Sequence, residues 1–177
     1  MFQEKTMNVI VINGPMGIGK TTVGTYIADS NPGTAFIDGD WCMDLHPFIG
    51  NKETRDMAVK NILHMISNYK ECSFCKMIVV AWIMDDEQVR ENLLSGIRDL
   101  GLNVKSVTLV SDEAQLRKQW EADAVCPWRT EEWFKVSLKS LEYFSSLDNC
   151  ICTTGKSVEA VSEMVMNSYA GCLQKHL

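Results

Sequence analysis

The feature that most constrains this chain is a glycine-rich stretch at residues 14–22, which reads Gly-Pro-Met-Gly-Ile-Gly-Lys-Thr-Thr. It fits the phosphate-loop pattern G-x-x-x-x-G-K-[ST], with Gly14, Gly19, Lys20 and Thr21 at the fixed positions. Glycines allow successive backbone N–H groups to turn toward a phosphate, because no Cβ stands in the way. A lysine supplies positive charge for the β- and γ-phosphates, and a threonine hydroxyl is a suitable ligand for Mg²⁺.

The residues on either side of this stretch supply the structural context that the pattern requires. Residues 7–13 form a short apolar run rich in β-branched side chains, which is typical of a buried parallel strand. Residues 21–30 have apolar side chains at helical spacing, and an Asn-Pro-Gly sequence then ends the helix. A chance glycine-rich turn is the competing interpretation, and the flanking strand and helix argue against it. We therefore predict that ATP and Mg²⁺ bind here, and that the nucleotide contacts Gly14, Pro15, Met16, Gly17, Ile18, Gly19, Lys20, Thr21 and Thr22.

Composition and charge narrow the classes of partner. Of the 177 residues, 46% are hydrophobic and 23% are charged, as in ordinary globular proteins. The net charge of −6 argues against nucleic acid or an anionic membrane surface as a partner, because both attract basic proteins. No apolar run reaches the roughly 20 residues that a membrane-spanning helix needs, and the first residues lack a signal-peptide pattern. We expect a cytoplasmic protein, monomeric or homodimeric, that binds neither nucleic acid nor membrane.

Apolar segments with strand character alternate with amphipathic helical segments along the whole chain. The strand-like segments are residues 7–13, 34–37, 76–83, 104–110 and 149–152. No internal repeat or linker divides the sequence. Because the crossover between two parallel strands is right-handed, this alternation predicts one α/β domain spanning 1–177, with a five-stranded parallel sheet between two helical layers.

The second strand-like segment ends in the sequence Asp38-Gly39-Asp40. Ligands bind at the carboxyl ends of the strands in an open α/β sheet, so these carboxylates lie where a site is expected. Phosphoryl transfer uses one carboxylate to accept or orient the proton of the attacking hydroxyl, and another near the metal ion. An ordinary Asp-Gly turn is the alternative interpretation. The phosphate loop upstream favours the functional one.

Asp85 and Asp86 follow the most hydrophobic strand-like segment. They have two possible roles: a carboxylate near the metal ion, or the N-cap of the next helix. Of these, we favour the N-cap.

Two arginines flank an irregular stretch, residues 121–129, that separates two helical segments. Arg117 precedes it and Arg129 ends it. A segment of this kind can close over a site, exclude water and bring positive charge to the transferring phosphoryl group. We predict a lid at about 118–132 with both arginines as catalytic residues. Two surface arginines without a catalytic role are the alternative.

The last strand-like segment contains Cys150 and Cys152, which we expect to pack as small apolar residues. The loop after it begins Thr153-Thr154-Gly155-Lys156 and suits packing against a purine base. Three tryptophans, Trp41, Trp82 and Trp128, lie near the expected site, where they either stack on a ring or fill the core.

With these residues in place, the sequence resembles the small P-loop kinases, which include the nucleoside monophosphate, shikimate, gluconate and adenylylsulfate kinases and chloramphenicol phosphotransferase. The phosphate loop matches theirs, and Asp38-Gly39-Asp40 before His46-Pro47 resembles the gluconate kinase pattern. The run at residues 37–48, with Arg129-Thr130, resembles a group of bacterial nucleotide-kinase-like proteins.

The resemblance implies a fold and a set of roles. The fold is the three-layer P-loop NTPase fold with strand order 2-3-1-4-5 and helices on both faces. Asp40 lies at the acceptor, and Asp38 with Thr21 lies near Mg²⁺. Arg117 and Arg129 are lid arginines, and the loop containing Thr154 borders adenine.

Two functions follow as hypotheses. The first is an ATP- and Mg²⁺-dependent kinase that transfers the γ-phosphoryl group to the hydroxyl or phosphate of a small-molecule acceptor. The second is a nucleotide-binding switch or slow NTPase that acts through a protein partner. The carboxylate pair, placed where an acceptor is expected, favours the kinase.

Overall fold

A five-stranded parallel sheet forms the centre of the computed structural model, which describes residues 7–123 and 125–173. The strands are β1 (Asn8–Asn13), β2 (Thr34–Asp38), β3 (Met77–Ala81), β4 (Asn103–Val110) and β5 (Cys150–Cys152). The helices are α1 (Lys20–Ser30), α2 (Lys52–Glu71), α3 (Glu87–Asp99), α4 (Glu113–Ala122), α5 (Glu131–Ser145) and α6 (Val158–Leu173). A short 3₁₀ helix spans Asp40–Met43.

The strand order is β2-β3-β1-β4-β5, as the resemblance implied. The central strand β1 pairs in parallel with β3, where Val9 faces Ile78, and with β4, where Val9 faces Val104. All neighbouring strands run in the same direction, so their carboxyl ends meet at one edge of the sheet. The phosphate loop follows β1 at this edge, and Asp38-Gly39-Asp40 follows β2 there.

Alternation along the strands divides the core between the two faces of the sheet, because successive side chains point in opposite directions. On β1, Val9 and Val11 pack with α2 and α3 on one face. Ile10 and Ile12 pack with α1, α4, α5 and α6 on the other face. Both faces are therefore covered, which confirms the three-layer architecture and accounts for the nearly continuous apolar character of the strands.

The two aspartates before α3 lie at the start of the helix, as the sequence predicts. Asp86 is the N-cap of α3, and its carboxylate accepts hydrogen bonds from the backbone N–H groups of Gln88 and Val89. Asp85 lies 3.5 Å from Arg55 in an ion pair. The N-cap interpretation of this acidic pair is therefore confirmed for Asp86.

The prediction that Cys150 and Cys152 pack as apolar residues is wrong, because both side chains are exposed. Between them, Ile151 is buried in the core beneath α1 and α6. The other core, beneath α2 and α3, contains no residue of β5. The Cys150 thiol instead donates to the backbone carbonyls of Phe144 and Leu147 at the end of α5, at 3.3 and 2.9 Å.

The predicted lid segment, 118–132, comprises the last turns of α4, a connecting loop and the start of α5. The stretch predicted to be irregular begins later than expected, since α4 continues through Ala122. Within the described part of the chain, no helix is both long enough and apolar enough to cross a membrane.

Candidate active site

The phosphate loop connects β1 to α1, and α4 packs against it. Gly19 is the N-cap residue of α1. Gly17 has a φ of 80°, a conformation that favours glycine, and a Cβ there would lie only 2.8 Å from the Trp120 ring. The tight contact between Gly17 and the buried Trp120 thus ties α4 to the loop, and the start of the helix supplies N–H groups for an anion.

Lys20 lies beneath this loop with its side chain only 8% exposed. Its Nζ donates a hydrogen bond to the backbone carbonyl of Pro15 at 2.9 Å. Burial lowers the pKa of Lys20 to about 8, although Asp40 and Asp38 oppose this shift; nearby Arg129 lowers the pKa further. The loop therefore contains a desolvated cation whose electrostatic partners are the two predicted carboxylates and, when bound, a polyphosphate.

Thr21 and Asp38 bring oxygen atoms together across the cavity floor. The Thr21 hydroxyl donates to Asp38 Oδ2 at 2.8 Å. The other carboxylate oxygen, Oδ1, accepts from the backbone N–H of Asp40 at 3.0 Å. Oxygen donors of this type suit Mg²⁺, which keeps several waters and phosphate oxygens in its shell, so this pair fits the predicted metal site. Among the described residues, no group of three or more His, Cys, Asp and Glu side chains is arranged to hold a metal ion.

Asp40 lies two residues after Asp38, at the start of the 3₁₀ helix. Its carboxylate is reached by solvent through the cavity, yet the surrounding protein atoms raise its pKa above the ordinary value, and Asp38 adds to this rise while Lys20 opposes it. Gly39 fixes the turn, because any Cβ at this position would overlap the buried Trp82 side chain. Trp82 therefore fills the core under the carboxylate pair.

Of the two predicted lid arginines, the structure brings Arg129 to the site. Its guanidinium contacts Asp123 twice, with Nε and Nη2 at 2.9 and 2.7 Å from Oδ2, and it stacks over the Trp120 ring at 4.7 Å. The charge of Arg129 acts on Lys20. Asp123, which sequence reasoning missed, holds this arginine toward the cavity.

Arg117 points elsewhere. Its guanidinium makes two hydrogen bonds to Glu131, at 2.6 and 3.1 Å, and stacks over the Phe134 ring at 3.5 Å. It joins α4 to α5 and does not line the cavity. Its position lends no support to the predicted catalytic role, and of the two arginines only Arg129 lines the cavity.

The loop after β5 lies at the far end of the cavity. Thr153, Lys156 and Ser157 line it. Thr154, the residue predicted to contact the nucleotide, is outside the lining, and its hydroxyl accepts a hydrogen bond from the backbone N–H of Asp112 at 3.0 Å. The predicted loop is therefore at the site, but Thr154 joins it to the β4–α4 connection.

These groups surround one cavity of about 980 Å³. Of the phosphate-loop residues, 16–22 line it, whereas Gly14 and Pro15, which were also predicted to contact the nucleotide, do not. His46 and Phe48 from the segment after the 3₁₀ helix, with Trp128 and Trp133 from the lid region, complete the wall.

Trp41 is 82% exposed and lies outside the cavity. Sequence reasoning missed Trp133, although a tryptophan beside the inward-facing Phe134 was a usable signal.

Comparisons with known proteins bear on the fold. No protein-family model matches the chain, and no curated protein matches it. Among solved structures, the tunicamycin resistance protein of Deinococcus radiodurans is 22% identical with a TM-score of 0.68, over 92% of this chain and 95% of that one. A gluconokinase from Sinorhizobium meliloti is 15% identical with a TM-score of 0.70, over 98% and 97%.

A third similar structure is an APS kinase from Mycobacterium tuberculosis, solved in complex with AMPPNP and APS. It is 12% identical with a TM-score of 0.65, over 92% of this chain and 96% of that one. Each likeness extends over nearly the full length of both chains. The chain therefore has the fold of the small P-loop kinases.

Proposed function

We propose that this protein is an ATP- and Mg²⁺-dependent phosphotransferase that moves the γ-phosphoryl group of ATP to a small-molecule acceptor. The observation that carries the proposal is the position of Asp38 and Asp40 against the phosphate loop. Asp38 is hydrogen-bonded to Thr21, whereas Asp40 is left facing the cavity near Lys20. A metal-side carboxylate and a separate acceptor-side carboxylate are what a kinase needs and what a simple nucleotide switch does not.

Different groups of the chain would bind the phosphates and the metal ion. The backbone N–H groups of residues 16–22 and the Lys20 ammonium would hold the phosphates, and Thr21 with Asp38 would hold the metal ion. Bound Mg²⁺ would neutralise charge on the β- and γ-phosphate oxygens. The APS kinase structure with AMPPNP supports this assignment, since a protein of the same fold binds an ATP analogue.

In the transfer step, an acceptor oxygen forms a bond to the γ-phosphorus, and the bond from that phosphorus to the bridging oxygen breaks. ADP leaves with the electron pair of the broken bond. Asp40 accepts the proton of an attacking hydroxyl, a task suited to a carboxylate whose pKa lies above the ordinary range. Lys20 and Arg129 stabilise the charge on the transferring group, and the lid excludes water.

The test is ADP release from ATP and Mg²⁺, with and without a panel of acceptors, beside Lys20→Ala as the inactive control. We expect release to rise severalfold with at least one acceptor and to stay at background in the variant. Phosphorus NMR would show the phosphorylated product. If wild-type protein hydrolyses ATP at one rate whatever the acceptor, the phosphotransferase proposal fails, and a switch that acts on a protein partner takes its place.

A further inference from the structure

The acceptor end of the cavity is lined by aromatic rings from two separate parts of the chain. Phe48 comes from the segment after the 3₁₀ helix, and Trp128 and Trp133 come from the lid loop and the start of α5. We call these residues the ring cluster. Phe48 and Trp128 meet edge to face with centroids 6.3 Å apart, and Trp128 and Trp133 do so at 6.4 Å.

The ring cluster is partly open to solvent. Phe48 is 55% exposed, Trp128 is 51% exposed and Trp133 is 38% exposed. Rings that only filled the core would be buried, as Trp82 and Trp120 are. An exposed apolar surface lining a cavity next to reactive groups is typical of a binding site for an apolar or planar ligand.

The position of the ring cluster in the cavity indicates that it contacts the acceptor and not the nucleotide. Because the sheet order is β2-β3-β1-β4-β5, the loops after β2 and β5 lie on opposite sides of the phosphate loop. Lys156 and Ser157 line the β5 side, and Phe48 with Asp40 lines the β2 side. A nucleotide whose base lies on the β5 side therefore leaves the ring cluster to the second substrate.

The charges at this end are unfavourable for an anion. The carboxylates that line the β2 and lid side are Asp38, Asp40, Asp44 and Asp123. Among the described residues lining that side, the Arg129 guanidinium is paired with Asp123, and the His46 imidazole lies 3.4 Å from Asp44. Lys20 is hydrogen-bonded to the backbone carbonyl of Pro15 within the phosphate loop. An acceptor with a carboxylate or phosphate would meet like charge without a free cation.

We propose that the acceptor is an uncharged hydroxyl compound carrying a planar ring, which stacks in the ring cluster and presents its hydroxyl to Asp40. This inference rests on the proposed phosphotransferase function and narrows its substrate class. The transfer step is the one given above: the ring compound's hydroxyl oxygen takes the phosphoryl group, its proton goes to Asp40, and ADP leaves.

The test uses pairs of ring compounds that differ in charge. One pair is 4-nitrobenzyl alcohol and 4-(hydroxymethyl)benzoate, and the other is uridine and uridine 5′-monophosphate. Binding to the full chain, saturated with AMPPNP and Mg²⁺, is measured by calorimetry, and ADP release is measured separately with ATP. We expect at least one uncharged compound to bind, with its anionic counterpart at least about tenfold weaker.

Two tryptophan variants give the matched comparison. Trp128→Ala removes a ring of the cluster, whereas Trp41→Ala removes an exposed ring outside the cavity. We expect the first to weaken binding of the uncharged compound at least about fivefold, the effect of losing one stacking surface, and the second to leave it unchanged. Thermal unfolding curves of both variants verify that they fold.

The outcomes separate this inference from the proposed function. Equal or tighter binding of the anionic partners, equal effects of the two tryptophan variants, or no binding by any uncharged ring compound at millimolar concentration would each overturn the inference. If an uncharged ring compound binds in the expected way, yet no compound raises ADP release, the ring site stands and the phosphotransferase proposal fails.

Discussion

Two aspartates separated by one glycine have different surroundings at the residue scale. Both oxygens of Asp38 accept hydrogen bonds, from the Thr21 hydroxyl and from the Asp40 backbone N–H. Within the described ranges, no group donates a hydrogen bond to the Asp40 carboxylate, and the protein around it raises its pKa. The first aspartate is thus held by two hydrogen-bond donors, and the second is available to take a proton.

This difference predicts the effect of Asp40→Asn. The amide keeps the size of the side chain but cannot accept the acceptor's proton, so we expect kcat to fall by roughly 10²–10⁴ while the KM for ATP changes little. In the wild type, the acid limb of the kcat/KM profile should lie above the pH at which an ordinary aspartate titrates, because the folded-state pKa is raised. The limb should be absent in the variant.

Steady-state kinetics from pH 4 to 9 check both statements. Asp44→Asn is the control, since this residue lines the same cavity beside His46 without facing the phosphate loop. A wild-type turnover number for Asp40→Asn, or an acid limb that persists in it, would remove Asp40 from proton transfer.

At the scale of elements, the sequence predicts what is local. The phosphate loop, the strand before it and the helix after it depend on residues adjacent in the chain. The N-cap role of Asp86 depends on the next three residues. The five alternating apolar segments determine the class of the sheet, because a chain with these periodicities buries both faces of each strand.

What the sequence does not predict depends on contacts between distant segments. Arg117 and Arg129 differ because they have different ion-pair partners. Glu131 at the start of α5 pairs with Arg117, and Asp123 after α4 pairs with Arg129 and holds it toward the phosphate loop. The ring cluster forms only because the segment containing Phe48 meets the lid. The burial of Trp82 and the exposure of Trp41 likewise depend on the turn at Gly39, which periodicity cannot show.

The lid therefore yields a prediction that separates its two arginines. Arg129→Ala removes a charge that acts at the phosphate loop, and we expect kcat to fall by roughly 10²–10³. Arg117→Ala breaks an ion pair between α4 and α5 outside the cavity, and we expect at most a small loss of stability with kcat within about twofold. Single-turnover phosphoryl transfer and thermal unfolding of both variants give the comparison. Similar losses of kcat would show that both arginines reach the site when the lid closes.

At the scale of the whole molecule, the buried charge of Lys20 destabilises the folded protein. Lys20 is a buried cation placed between two carboxylates, and burial outweighs their attraction, since the pKa falls from 10.5 to about 8. The fold tolerates the buried Lys20 ammonium group because the glycine-rich loop, β1 and α4 pack together around it. A bound polyphosphate would supply the missing negative charge, so nucleotide affinity and global stability are coupled.

The coupling predicts that Lys20→Met makes the nucleotide-free protein more stable while abolishing transfer. The folded-state pKa lies below the unfolded one, so the unfolded chain binds the proton more strongly, and the destabilising effect of Lys20 is fully present below about pH 8. It fades as the pH rises toward 10.5. At pH 7 we expect the variant's free energy of unfolding to exceed that of the wild type by roughly 1–3 kcal/mol.

Urea unfolding at several pH values, with and without ATP and Mg²⁺, measures this difference in the free energy of unfolding between the variant and the wild type. The difference should have its full size at pH 7, shrink as the pH rises above 8, and reverse in sign with saturating nucleotide, because only the wild type gains stability from binding. Thr25→Val serves as the control: it changes an exposed residue of the same helix that does not line the cavity, and it alters no charge. A Lys20→Met protein less stable than the wild type at pH 7 without nucleotide would mean that attraction to Asp38 and Asp40 outweighs burial, and that the loop is stable without its ligand.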